Sequence, residues 1–430
     1  MNRAPIRCPA TQTIEPLTGR PKLLPGRSGG GAVAPLWRRG FVWRAILTLR
    51  ITLILALAVS APAAFGQNAI VISKPGAYVV PVSITGFGPE TESVLKFDLY
   101  VLGMEVTAPD KAEYVLSGKD NGHVEGQLSR SGGSAPLFFR SYNGAGMRSQ
   151  AHALAEEVVR AIRQTPPIFH TKITFCIGQG SSTEIAVADF DGHDAMRVTQ
   201  DDALVATPCW VPGRRTLLYT SWKNGAPQIF EQDLASGSRK VFARFPGSSF
   251  SPGVSPDGRK VAMILSKSGS PNLYVSDIDG GDLKQLTHTR EEDSCPCWSP
   301  DSRVICFVER RGRAALRKIS LQGGEAEPFR VVGPDIFGDI TAPDWSPDGK
   351  QIIFTCGSEP FTLCVVAAEG GEAQKLVAGE DPCWAPNSRT VIFSRRENNK
   401  HVLCLLDVPT KHVKNISQIS ESCSEPAWAR

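Results

Sequence analysis

The stretch WSPDG at residues 345–349 is a turn, and near-copies recur as VSPDG at 254–258, WSPDS at 298–302, WAPNS at 384–388 and a worn WVPGR at 210–214. Each position suits a turn. Ser hydrogen-bonds the backbone, Pro sets φ at the second place, Asp tolerates the third and Gly the fourth. A short β-rich run comes directly after each turn: LLYTS (217–221), VAMIL (261–265), VICFV (304–308), IIFTC (352–356) and VIFSR (391–395). A third run comes later in each unit, as in NLYVSD (272–277), and a polar or Gly-bearing turn leads to a fourth. Every unit therefore holds four short strands joined by hairpins.

The period supports this reading. The turn prolines at 212, 256, 300, 347 and 386 are spaced by 44, 44, 47 and 39 residues, and Trp384 to Trp428 is again 44. Four-stranded units of this length signal β-propeller blades, whereas leucine-rich and ankyrin repeats are shorter and contain helices. The ends of the repeat set the count. KITFC (172–176) is a second strand with no turn motif before it, and EPAWAR (425–430) is a first strand with nothing after it. Together they complete one blade, and closing the ring removes two open sheet edges. The expectation is a mainly β fold, a six-bladed β-propeller of WD40-like SPDG repeats over residues 169–430, preceded by a small α/β domain over residues 67–168.

In that smaller domain AIVIS (69–73), AYVVPVSI (77–84), EYVLSGK (113–119), HVEGQL (123–128) and PLFFRSY (136–142) read as strands. SVLKFDLYVLG (93–103) reads as a helix or a buried run ending at Gly103. The clearest helix is SQAHALAEEVVRAIRQTPP. Ser149 stands as its cap, Ala151, Leu154, Ala155, Val158, Val159 and Ile162 form its apolar stripe, and Pro166–Pro167 stop it.

Residues 1–66 read as a leader with a secretory signal. Arg38, Arg39, Arg44 and Arg50 precede the apolar run ITLILALAV (51–59), and SAPAAFGQ (60–67) offers small residues for cleavage before Gln67. The run is too short for a stable membrane anchor. RRGFV (38–42) is a partial twin-Arg pattern and an alternative export route. The formal charge of +4 belongs to this leader, which holds nine Lys/Arg and only Glu15 as an acid. Without it, 38 basic residues face 42 acidic ones, and no basic surface for nucleic acid is expected.

Several chemistries have no counterpart in the sequence. No G-x-S-x-G elbow, H-E-x-x-H helix or G-x-x-x-x-G-K-[ST] loop is present. DFDGHD (189–194) and DIDGGD (277–282) lack the spaced acids of an EF-hand and read as hairpin turns. The eleven Cys form no CxxC…CxxC site, so neither a metal nor a cofactor is expected. Cys209, Cys297 and Cys383 precede motif Trp residues as PCW and read as fillers of a small repeated slot. A plain hairpin at Ser299–Ser302 would place Cys295 opposite Cys306.

The signal, the α/β domain, the helix RSQAHALAEEVVRAI, the link PIFHTKITF and the SPDG propeller together resemble the TolB family over residues 68–430. SKSGSPNLYVSDIDGG (266–281) is also similar to that family's pattern. The resemblance implies a non-enzymatic periplasmic scaffold of the Tol–Pal cell-envelope system, serving outer-membrane integrity and cell division. It implies two partners. A Pal-like peptidoglycan-associated lipoprotein would dock at the propeller mouth through Ser248, Ser249, Phe250, Ser251, Asp293 and Ser294. A TolA-like inner-membrane protein would contact the N-terminal segment Ala69, Ile70, Val71 and Ile72. Phe250 is the expected aromatic anchor, and Glu291, Glu292, Asp293, Asp339, Glu380 and Asp381 would form an acidic rim. The competing expectation is a propeller-type hydrolase or sugar-binding protein acting at the same mouth.

Overall fold

Each SPDG turn closes by the same local bonds. In the turn at 254–258 the Ser255 hydroxyl donates to Asp257 (2.6 Å) and accepts from Lys260 N–H (2.9 Å), while Gly258 takes φ 69°. Ser299 with Asp301 and Ser346 with Asp348 repeat the pattern. Where Ser replaces the final Gly, at Ser302 and Ser388, its hydroxyl accepts the N–H of Asp257 or Asp348 from the preceding turn. The turns thus also tie neighbouring blades together.

The computed structural model describes residues 78–144, 146–243, 245–333 and 338–430. The expected secretory signal, the twin-Arg pattern, the cleavage point, the AIVIS strand and Ala69–Ile72 lie outside the described residues. Six four-stranded antiparallel sheets are present and form a six-bladed propeller. Blade one is built from Lys172–Gln179, Ser182–Asp189 and Met196–Arg197, with Cys423–Trp428 as its innermost strand. That strand pairs Trp428 with Ile173 and Cys423 with Ile177, as the two orphan runs imply. Blades two to six begin at innermost strands Val205–Trp210, Ser249–Val254, Glu292–Trp298, Asp339–Trp345 and Glu380–Trp384. Two motif Trp residues, Trp298 and Trp210, join neighbouring blades, and Trp428 is held at the start of its own. Trp298 Nε1 donates to Gly253 O (2.8 Å), Trp210 Nε1 to Ala427 O (3.3 Å) and Trp428 Nε1 to Thr171 Oγ1 (2.7 Å).

The smaller layer comprises β1 (Val80–Thr85), α1 (Pro89–Tyr100), β2 (Met104–Val106), β3 (Tyr114–Lys119), β4 (Val124–Arg130), β5 (Pro136–Tyr142) and α2 (Met147–Arg163). The sheet order is β2-β1-β3-β4-β5, with β1 parallel to both neighbours. α2 buries Ala151, Leu154, Ala155, Val158 and Val159. A buried Leu or Val side chain is worth about 1.5–3 kcal/mol over an exposed one. Two local details differ from the sequence reading. The helix starts at Met147 with Gly146 as its cap, so Ser149 lies within the first turn. Gln164 ends it in the left-handed region (φ 55°) before the two prolines.

Strand direction gives the propeller two faces. The SPDG turns and the turns between third and fourth strands share one, the turn face. The loops leading into the innermost strands and the turns between second and third strands share the other, the loop face. The α/β layer packs on the turn face of blades one and six. At the end of α1, a Cβ on Gly103 (φ 72°) would sit 2.6 Å from Asp407 Oδ2 and 2.8 Å from Arg389 Nη2, so only glycine permits this approach. Tyr100 stacks on His412 with ring centroids 4.6 Å apart. Arg148 of α2 donates to Asp189 (3.1 Å) and Asp191 (2.6 Å), and His152 Nδ1 lies 2.7 Å from Asp98 Oδ2. His152 is buried between Phe169 and Phe190, a structural position. A single core runs through both parts, from Leu99 and Val158 to Phe190, Leu405 and Trp428.

Candidate docking site at the propeller channel

The innermost strands carry a feature that the simple hairpin register misses. Each reads X-Pro two residues before the motif Trp or Val: TPCW, SPGV, CPCW, APDW, DPCW and EPAW. Proline has no N–H for the ladder, so the strand bulges there. All six strands shift register at this point. The residue before each proline takes positive φ: Thr207 50°, Ser251 51°, Cys295 48°, Ala342 46°, Asp381 52° and Glu425 50°. None is glycine, and each such residue costs roughly 1–3 kcal/mol of strain held by its surroundings. The bulge corrects the cysteine register: Cys306 faces Cys297, not Cys295.

A bulge also takes N–H groups out of the ladder, and buried donors need new partners. The neighbouring blade supplies them. Ser251 N–H donates to Thr220 Oγ1 (3.1 Å), Asp381 N–H to Thr355 Oγ1 (3.1 Å) and Thr207 N–H to Glu425 Oε2 (2.5 Å). The repeated X-Pro dipeptide was the available sequence signal for this ring.

The ring lines a channel cavity of about 450 Å³ that extends past the PCW residues to the turn prolines. Its wall is mostly Pro, Trp and small residues. Burial pushes the Cys209 and Cys383 thiols up to about 12, so they act as fillers of the slot that Gly253 and Ala427 fill in other blades. Arg430 runs past Trp384 of blade six to Asp344 of blade five, which also accepts Trp384 N–H (2.6 Å). On the side of blades one and six, burial raises the Asp381 carboxyl well above the usual range, with Glu380 and Glu425 adding to it. Burial pushes Glu425 up to about 7 against the pull of Thr207 N–H. Among the described residues no group of three or more His, Cys, Asp or Glu could hold a metal.

The residues expected at the mouth fall into two sets. Ser251 lines the channel, and its buried Oγ has no hydrogen-bond partner. Ser248 is half-buried on the loop leading in. Ser249 and Ser294 are buried. Phe250 is 4% exposed and packs with Ile264, Trp298 and Phe307 between blades, so it presents no aromatic surface. Asp293 is fully buried. Its Oδ2 accepts from Thr287 Oγ1 and from Leu273 N–H (3.3 Å), while Oδ1 is unpartnered. The expected acidic rim is instead laced with arginine. Arg310 donates to Asp339 (2.7 Å), Arg311 lies 3.7 Å from Glu291, and His401 lies 3.0 Å from Glu380. Second-to-third-strand turns bring these bases to the same face, which reading the innermost strands alone does not reveal.

Fold and channel define a six-bladed SPDG propeller whose N-terminal α/β layer packs on the turn face of blades one and six. A family model described as the TolB beta propeller domain matches residues 159–430, and the chain belongs to that family. Among curated proteins it is similar to the Tol-Pal system protein TolB of Mannheimia succiniciproducens, 29% identical over 173 residues, 39% of either chain. It is also similar to the protein of that name from Actinobacillus pleuropneumoniae, 35% identical over 109 residues, 25% of this chain and 26% of that one. The aligned stretches thus span well under half of those relatives. The crystal structure of TolB from Acinetobacter baumannii shares the fold, with a TM-score of 0.72 at 21% identity, covering 82% of this chain and 96% of that one. No helix of the described residues is long and apolar enough to cross a membrane.

Proposed function

We propose that the chain is a periplasmic interaction scaffold of the Tol–Pal system that takes a Pal-like lipoprotein at the loop face of its propeller. Its N-terminal segment, Ala69–Ile72, engages a TolA-like inner-membrane protein, and the assembly supports outer-membrane integrity and division. The observation that carries this reading is the loop face itself. The α/β layer packs on the opposite face at blades one and six, and on the loop side the channel wall offers Ser251 with an unpartnered hydroxyl. A partner backbone can approach the Ser251 hydroxyl along a wall of Pro, Trp and small residues. Ser248, half-buried, lies on the loop that leads into the same strand.

Calorimetric titration of the chain with the soluble domain of a Pal-like lipoprotein tests this. Ser248→Arg is expected to weaken binding more than tenfold, about 1.4 kcal/mol, with Tm unchanged. Ser238→Arg, on an exposed turn of the other face, is expected to bind as the unsubstituted chain does. No binding by the unsubstituted chain, or equal affinities for both variants, would overturn the reading.

A further inference from the structure

Two cysteines of blade five stand apart from the other thiols. Cys356 lies near the end of the second strand (Gln351–Gly357), and Cys364 lies in the third (Thr362–Ala367). The register pairs Cys356 with Thr362 and Phe354 with Cys364, so both sulphurs leave the same sheet face as diagonal neighbours. Both side chains are buried, and their Sγ atoms are 2.6 Å apart. Non-bonded heavy atoms settle at about 3.5–4.0 Å, and a disulfide closes at about 2.05 Å. The separation lies nearer to the bond than to ordinary contact, and the strands hold it there from both sides.

We propose that Cys356 and Cys364 form an intrablade disulfide that clamps the turn 357–361 on the loop face. The chemistry is ordinary thiol–disulfide exchange with a small or protein disulfide as oxidant. The Cys356 thiolate attacks one donor sulphur, giving a mixed disulfide and releasing one donor thiol. The Cys364 thiolate then attacks Cys356 Sγ, forming the intrablade bond and releasing the second donor thiol. The cysteine pair gives up two electrons and two protons, and the donor takes both. Because both sulphurs are buried, the bond forms before the blade closes against its neighbours.

The clamp also acts on the loop face. Glu359, at the tip of the clamped turn, pairs with Arg396 of blade six at 2.9 Å. Fixing the turn fixes this interblade contact. Cys297 and Cys306, which face each other across blade four, are the competing pair.

The test uses the full chain, unfolded under reducing conditions, refolded with glutathione disulfide, denatured again in alkylating agent without reductant, digested with chymotrypsin, which cuts after Phe361 between the two cysteines, and mapped by mass. A peptide pair linked through Cys356 and Cys364, lost on reduction, is the expected result. Reduction should lower Tm by about 2–4 °C, and C356S and C364S should each lack that reduction-sensitive shift. Recovery of both cysteines as alkylated thiols, or a bridge between Cys297 and Cys306 in place of this one, would overturn the proposal. The mapping on the unsubstituted chain decides the matter even if a serine variant does not fold.

Discussion

Asp293 shows how one residue type can carry two readings. In the sequence it is an acid in a loop before a motif Trp, and so a rim residue. In the fold its side chain is turned inward, and burial pushes its carboxyl up to about 6 despite the hydrogen bonds from Thr287 and Leu273. The folded pKa lies above the unfolded value, so between pH 4 and 6 the fold still holds a proton that the unfolded chain has released. Stability therefore falls as pH rises through that window. Asp293→Asn has no such proton. Its Tm is expected to gain on that of the unsubstituted chain from pH 4 to 6, by the equivalent of at most about 3 kcal/mol. Parallel Tm curves for the two proteins would contradict the assignment. Phe250 behaves in the same way. Its aromatic ring was legible as energetically important, but whether it serves an interface or the core depends on a strand from the next blade, which no local pattern encodes.

At the scale of elements, turns were the most legible part because their chemistry is local. Ser, Pro, Asp and Gly specify the SPDG bend within five residues, and the blades follow from its period. The pairing of EPAWAR with Lys172–Gln179 was legible because both runs lacked a mate. The register was not, since a bulge turns on how X-Pro sits against the neighbouring blade's threonines. Nor was the parallel β1 arrangement, which depends on contacts far apart in sequence. The closure strand makes a direct prediction. Trp428 is buried and bonded to Thr171, and Arg430 reaches Asp344. Trp428→Ala is expected to cost about 3–5 kcal/mol in urea unfolding. Deleting residues 425–430 should cost more, because it also exposes the edge of Lys172–Gln179. A deletion mutant as stable as the intact chain would show that blade one does not need its last strand.

At the scale of the whole molecule, the two propeller faces are not equivalent. One carries α1, α2 and the turn region at Gly103 on blades one and six. The other gathers the loops entering each channel strand, with alternating acids and arginines around a ring of strained X-Pro residues. The central claim is that partner docking belongs to this second face. Hydrogen exchange of the chain, alone and saturated with a Pal-like soluble domain, tests it most directly. The account predicts new protection in the entering loops, at 245–249, 287–293, 378–381 and 420–424, with the SPDG turns and α2 unchanged. Protection confined to the SPDG turns or to the α/β layer, with those loops exchanging as before, would contradict it.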